Sequence, residues 1–132
     1  MILLQILKNI KEEIMLVYVS HPNTGEEDKK IVEDFIKENL KKYKDVTFIS
    51  PIHTLDWQYD GDKDYVKKMN DHVELLSKCD VVVTKQMKYV ANCPECLLEV
   101  GYAKGKGISF VVWDEFDKYM KRFDDDFEDD ED

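Results

Sequence analysis

Arginine is almost absent from this chain of 132 residues. Of its 19 basic residues only Arg122 is one, and the rest are lysines. A site that grips phosphate with a guanidinium fork has a single candidate, set beside the acidic end of the chain. Cysteine is sparse as well: three thiols cannot all pair, and nothing suggests export, so reduced thiols in a cytoplasm are expected. No run approaches the ~18 apolar residues of a membrane span. The opening Met1-Ile2-Leu3-Leu4 lacks the positive leader and small-residue cleavage site of a secretory signal. Basic residues are missing altogether from 123–132, which hold eight of the 29 acids. The formal charge of −10 therefore belongs mostly to that end, and the other 122 residues are close to neutral at −2. A nearly neutral body argues against nucleic-acid binding through a basic face. Residues 123–132 read as a disordered, solvated acidic tail.

What is present alternates. Met15-Leu-Val-Tyr-Val-Ser20 is a short apolar, β-branched run that ends in the breaker His21-Pro22-Asn23-Thr24-Gly25. From Glu26 to Tyr43, Ile31, Val32, Phe35, Ile36 and Leu40 share one helical face. Val46–Ser50 is a second strand stopped by Pro51, followed by a loop with His53, Asp56, Trp57 and Tyr59. Tyr65, Val66, Met69, Val73 and Leu76 mark a second helix. Asp80–Thr84 is apolar on both faces in its middle, as a strand covered on both sides should be. A third helix follows over Pro94–Lys104, then a strand over Ile108–Trp113 and a last turn or two of helix from Glu115 to Arg122. Strands alternating with helices predict a parallel sheet sandwiched between helices, with ligands at the carboxyl edge of the strands. The loops after Ser20, Ser50 and Thr84 all fall at that edge.

Residues 1–14 fit the repeat poorly. They read either as an extra amphipathic helix, with Leu3, Leu7, Ile10 and Ile14 at helical spacing, or as an extension upstream of a natural start at Met15. The expected organisation is thus an extension at 1–14, a single domain at 15–122 and the tail.

The segment Cys93-Pro-Glu-Cys-Leu-Leu-Glu99-Val-Gly-Tyr-Ala103 carries a carboxylate in an apolar helix turn, where an ionised group must be paired or used. On residues alone Glu99 is either a site carboxylate or a surface acid paired with Lys104 or Lys106. The Cys93-x-x-Cys96 turn could lower a thiol pKa or contribute to a zinc site, but it lacks the early-strand position of a redox motif and a second ligand pair. No metal and no cofactor are expected.

Three stretches together carry a resemblance: Val17-Tyr18-Val19-Ser20 with Gly25; Leu75-Leu76-x-x-Cys79-Asp80-Val81-Val82-Val83; and Glu99-Val100-Gly101-Tyr102-Ala103. Spread over most of 15–113, they resemble the nucleoside 2-deoxyribosyltransferase superfamily and the related deoxynucleotide N-glycosidases. Tyr18-Val-Ser-His-Pro22 and Ser50-Pro-Ile-His53 are similar to motifs of its short bacterial and phage branch. The resemblance implies a flavodoxin/Rossmann-like three-layer α/β sandwich with a parallel sheet of four to five strands in the order 2-1-3-4. It implies a nucleoside or nucleotide as ligand and a homodimer or larger homo-oligomer. Glu99 matches the nucleophile that attacks the anomeric carbon, and Tyr18 a tyrosine lining the sugar pocket. The family's second acid lies eight residues before the aspartate that opens strand three; here that position is His72, with Asp71 adjacent as the substitute acid but about 100° away around the helix. Cys93 stands where the family reads the base, and Thr24 near a first-loop arginine of the hydrolases. Ser20, His21, Asn23, Gly25, His53 and Trp57 complete the expected ligand contacts. His72 itself reads as a structural or half-exposed helix residue, and Trp57 and Tyr59 either stack on a base or pack in a core or interface.

Overall fold

Met15–Val19 forms β1, and its alternation divides the molecule. Val17 and Val19 point to one side of the sheet and Tyr18 to the other, so a single strand feeds two cores. The computed structural model describes residues 2–10 and 14–131, with side chains for 2–6 and 14–123. β1 is joined in parallel by β2 (Val46–Ile49) on one side and β3 (Val81–Thr84) on the other, and β4 (Ser109–Val112) closes the order 2-1-3-4. Parallel neighbours require helical crossovers, supplied by α2 (Glu26–Leu40) between β1 and β2, α3 (Pro51–Thr54) and α4 (Tyr65–Leu76) between β2 and β3, and α5 (Met87–Asn92) and α6 (Pro94–Gly105) between β3 and β4; α1 (Ile2–Ile10) precedes the sheet and α7 (Phe116–Glu131) follows it. The expected α/β sandwich with its strand order is the observed one.

On the first face, Val17, Val19, Val81 and Val83 meet Val32 of α2 and Phe116 of α7. On the second, Tyr18 and Val82 meet Leu76 of α4 with Val100 and Ala103 of α6. β3 is buried at every position, which explains its unbroken β-branched run. Asp80 ties β1 to β3 one position before their ladder begins at Val17 and Val81. Its carboxylate accepts the amide of Leu16 at 2.7 Å, and its own amide donates to the Leu16 carbonyl at 2.8 Å.

The described apolar side chains of α1 (Ile2, Leu3, Leu4 and Ile6) are exposed, so this helix adds nothing to either core through them. The backbone of α7 runs on into the acidic segment, whose side chains from residue 124 lie outside the described set. Among the described side chains Tyr119 and Met120 are the last packed on the core, with Phe123 partly exposed against Tyr119. Ending the chain at Arg122 should therefore shift the melting temperature by no more than about 4 °C, measured by differential scanning calorimetry. A larger fall would show that the acidic segment packs.

Candidate functional site

A cleft of about 320 Å³ opens at the carboxyl edge of β1, β2 and β3. Its wall takes His21, Pro22, Asn23 and Thr24 from the loop after β1, and Pro51, Ile52 and Asp56 from the segment after β2. Lys68 and His72 come from α4, Tyr89 and Asn92 from α5, and Cys93, Pro94, Glu95 and Glu99 from the start of α6. A second hollow of about 380 Å³ runs along β4 and α7, but its charged residues, Glu115, Lys118 and Arg122, are all exposed. The first cleft alone of the two contains buried ionisable groups.

Glu99 is only 3% exposed. Because β1 alternates, Tyr18 and Ser20 both point toward it. The Tyr18 hydroxyl donates to its Oε2 and the Ser20 hydroxyl to its Oε1, the latter at 3.0 Å. His72 Nδ1 lies 3.3 Å from the same Oε2. Lys104 and Lys106 instead lie over the rings of Phe110 and Tyr102, so the surface ion-pair alternative for Glu99 falls. Burial first, and then the neighbouring Glu99 charge, push the Tyr18 hydroxyl's pKa well up, which keeps it a donor.

His72 is not half-exposed; at 3% it is as buried as Glu99. Its Nε2 meets Asp56 Oδ1 at 2.8 Å. Asp56 in turn accepts from Asn23 Nδ2 at 2.9 Å and has Lys68 at 3.9 Å. Burial acts to lower the imidazole's pKa, but the bonds to Asp56 and Glu99 outweigh it and raise it to about 9. Burial likewise acts against the Asp56 anion, and its bonds to His72 and Asn23 hold it below the usual carboxylate value. The cleft floor therefore sets a charged imidazole at neutral pH between the side chains of Asp56 and Glu99.

The sign of the pH dependence follows. A histidine whose pKa rises from 6.5 to about 9 on folding stabilises the fold fully below 6.5, and that contribution fades as pH climbs through about 9. Thermal scans from pH 6.5 to 9.5 should show a falling melting temperature, with a flatter slope in His72→Gln. Parallel slopes would refute the coupling.

The loop after β1 is braced from α2. Asp28 Oδ2 accepts the Thr24 amide at 2.8 Å and the Thr24 hydroxyl at 2.5 Å, and Oδ1 meets His21 Nε2 at 3.0 Å. His21 packs near Trp113 and Tyr89, and burial lowers its pKa against the opposing pull of Asp28. Cys93 caps α6. The bond it receives from Cys96 holds its thiol below the ordinary value, while that bond and burial push Cys96 up.

Of the residues singled out in the sequence, Glu99, His21, Asn23 and Cys93 line the cleft, and Tyr18 and Ser20 hold Glu99 from behind. Thr24, Asp56 and His72 line it too, whereas Asp71, Trp57, Tyr59, His53 and Gly25 lie outside its lining. Asp71 bonds Tyr59 at 2.8 Å and Lys67 at 2.9 Å on the outer side of α4, as its 100° offset implies. Trp57 is 76% exposed, with its indole donating to Thr54. His53 is exposed and bonded to Ser50 at 2.7 Å, and Gly25 turns the chain into α2. Asp56 is the site residue with the weakest signal in the sequence: it is 16 positions from His72 and shares no motif with it. For His72 the signal was its place at the second-acid position.

No protein-family model and no curated protein matches this sequence. Among solved structures the chain is similar to a 2-desoxiribosyltransferase from Leishmania mexicana, with a TM-score of 0.55 and 19% identity over 74% of this chain. It spans 63% of that protein's length. At this identity the likeness shows the fold.

Proposed function

We propose that this protein cleaves or transfers the N-glycosidic bond of a nucleoside, nucleotide or related N-glycoside, with Glu99 as the nucleophile. The observation that carries the reading is a buried carboxylate facing a cleft, fixed by two hydroxyls and an imidazolium, with no lysine bonded to it among the described residues. An ionised group held in place without free rotation is what attack on an anomeric carbon requires. The likeness to the Leishmania mexicana 2-desoxiribosyltransferase supports a nucleoside as ligand. Glu99 would displace the base to give a glycosyl-enzyme, which water or a second base resolves. His21, Asn23 and Cys93 are placed to contact the base or sugar. A cytoplasmic homodimer or larger homo-oligomer is the expected setting, without a nucleic-acid partner.

One observation favours a second reading, a nucleotide binder of the same fold that does no chemistry: the second-acid position holds an imidazole in place of a carboxylate. Incubating the protein with a panel of nucleosides, 2′-deoxynucleosides and their 5′-monophosphates, and following free base by liquid chromatography, separates the two. The enzyme reading expects base from at least one member. Tight binding without release of base from any member would favour the binder.

A further inference from the structure

We infer that His72, backed by Asp56, is the acid that protonates the departing base, and that the charge on Glu99 times the transfer. The inference rests on the N-glycoside reading above. Both ring nitrogens of His72 face carboxylate oxygens, Nδ1 toward Glu99 at 3.3 Å and Nε2 toward Asp56 at 2.8 Å. An ionised carboxylate can only accept, so the form of the ring that satisfies both neighbours is the one protonated on both nitrogens. The ring also lines the cleft, within reach of what Glu99 would attack.

The groups around the ring come from every packed element. Asp56 belongs to the turn after α3, Glu99 to α6, and Tyr18 of β1 donates to the same Glu99 oxygen. The Tyr59 ring lies 6.4 Å away, and Lys68 of α4 is 3.9 Å from Asp56. Lys67 and Asp71 pair with each other on the outer side of α4. Two anions hold the proton, and one of them is the nucleophile.

That arrangement makes the acid strengthen when it is needed. As a Glu99 oxygen forms its bond to the anomeric carbon, the bond from that carbon to the base nitrogen breaks and its electron pair leaves with the base. Glu99 is now a neutral ester, and the imidazolium has lost one of its two counter-charges. Its Nδ1 proton passes to the base nitrogen, leaving a neutral ring whose Nε2–H still donates to Asp56. In the second half the free Nδ1 removes a proton from the attacking water, or from the N–H of an incoming base. The ester bond breaks, and the Glu99 carboxylate and the imidazolium are both restored. Protons and charge balance over the cycle with no further reactant.

The test compares leaving groups. Guanosine and 2′-deoxyguanosine need a proton on the departing base, whereas their N7-methyl forms leave as neutral bases without one. His72→Asn should slow base release from the unmethylated pair by at least ~100-fold and from the methylated pair by no more than ~10-fold. Asp56→Asn should show the same pattern more weakly, and serves if His72→Asn does not fold. Equal losses on both pairs would overturn the proton role while leaving the N-glycoside reading intact. A wild type inert toward both pairs would count against that reading itself. Independently of any substrate, ¹⁵N NMR of the imidazole should show its ionisation lowered by more than about one pH unit in Glu99→Gln, because one of the two anions is gone. An unmoved value would overturn the timing.

Discussion

Glu99→Gln should abolish base release, by about a thousandfold or more, equivalent to about 4 kcal/mol of transition-state stabilisation. Gln keeps the shape, its amide oxygen can accept from one of the two hydroxyls and its NH2 can donate to the other, so the fold should persist by circular dichroism. What it loses is the charge that bonds to the sugar. Because the side chain faces the cleft without filling it, the variant should still bind its ligand, read by saturation-transfer NMR. Retained turnover would remove Glu99 from the chemistry. If the wild type releases no base and the substitution only shifts affinity, the binder reading takes over.

The largest expected loss of stability comes from Phe116→Ala. Phe116 is 1% exposed and meets Phe35, Tyr43 and Phe48 edge-on or tilted at 5.7–6.0 Å. It is the residue by which α7 closes the first face of the sheet. Truncation removes the ring's transfer free energy and leaves a cavity that rigid strands cannot fill, a cost of about 3–5 kcal/mol. For a domain of this size that is a fall of roughly 10–20 °C in melting temperature. Phe123→Ala on the same helix, where the ring is partly exposed, should cost no more than about 1 kcal/mol. Similar losses for the two would show that α7 is not anchored where the packing places it.

The strands were legible because a strand covered on both sides has little freedom in composition: Val81–Val83 is buried throughout. The helices with two or more turns of apolar face, α2, α4 and α6, were legible for the same reason, through their spacing. Those of one turn or so, α3 and α5, were not, since four to six residues give periodicity nothing to act on. The same division holds in the cleft. Tyr18 and Glu99 lie in regular elements whose phase can be read, Ser20 directly continues β1, and the three meet. His53 and Trp57 were placed by their loop, and a loop's position does not say which way its side chains turn. The pairing of Asp56 with His72 depends on how the segment after β2 packs across α4, a contact that local pattern does not encode.

β1 is both scaffold and part of the site, one function on each side of five residues and the serine after them. Were its pairing to slip by a single position, Val17 would turn toward Glu99 and Tyr18 would be driven into the apolar face beneath α2. A deletion or insertion there would cost packing and the grip on Glu99 together. The strand cannot drift in one respect without being noticed in the other, so a loss of register leaves no folded, inactive intermediate for variation to explore.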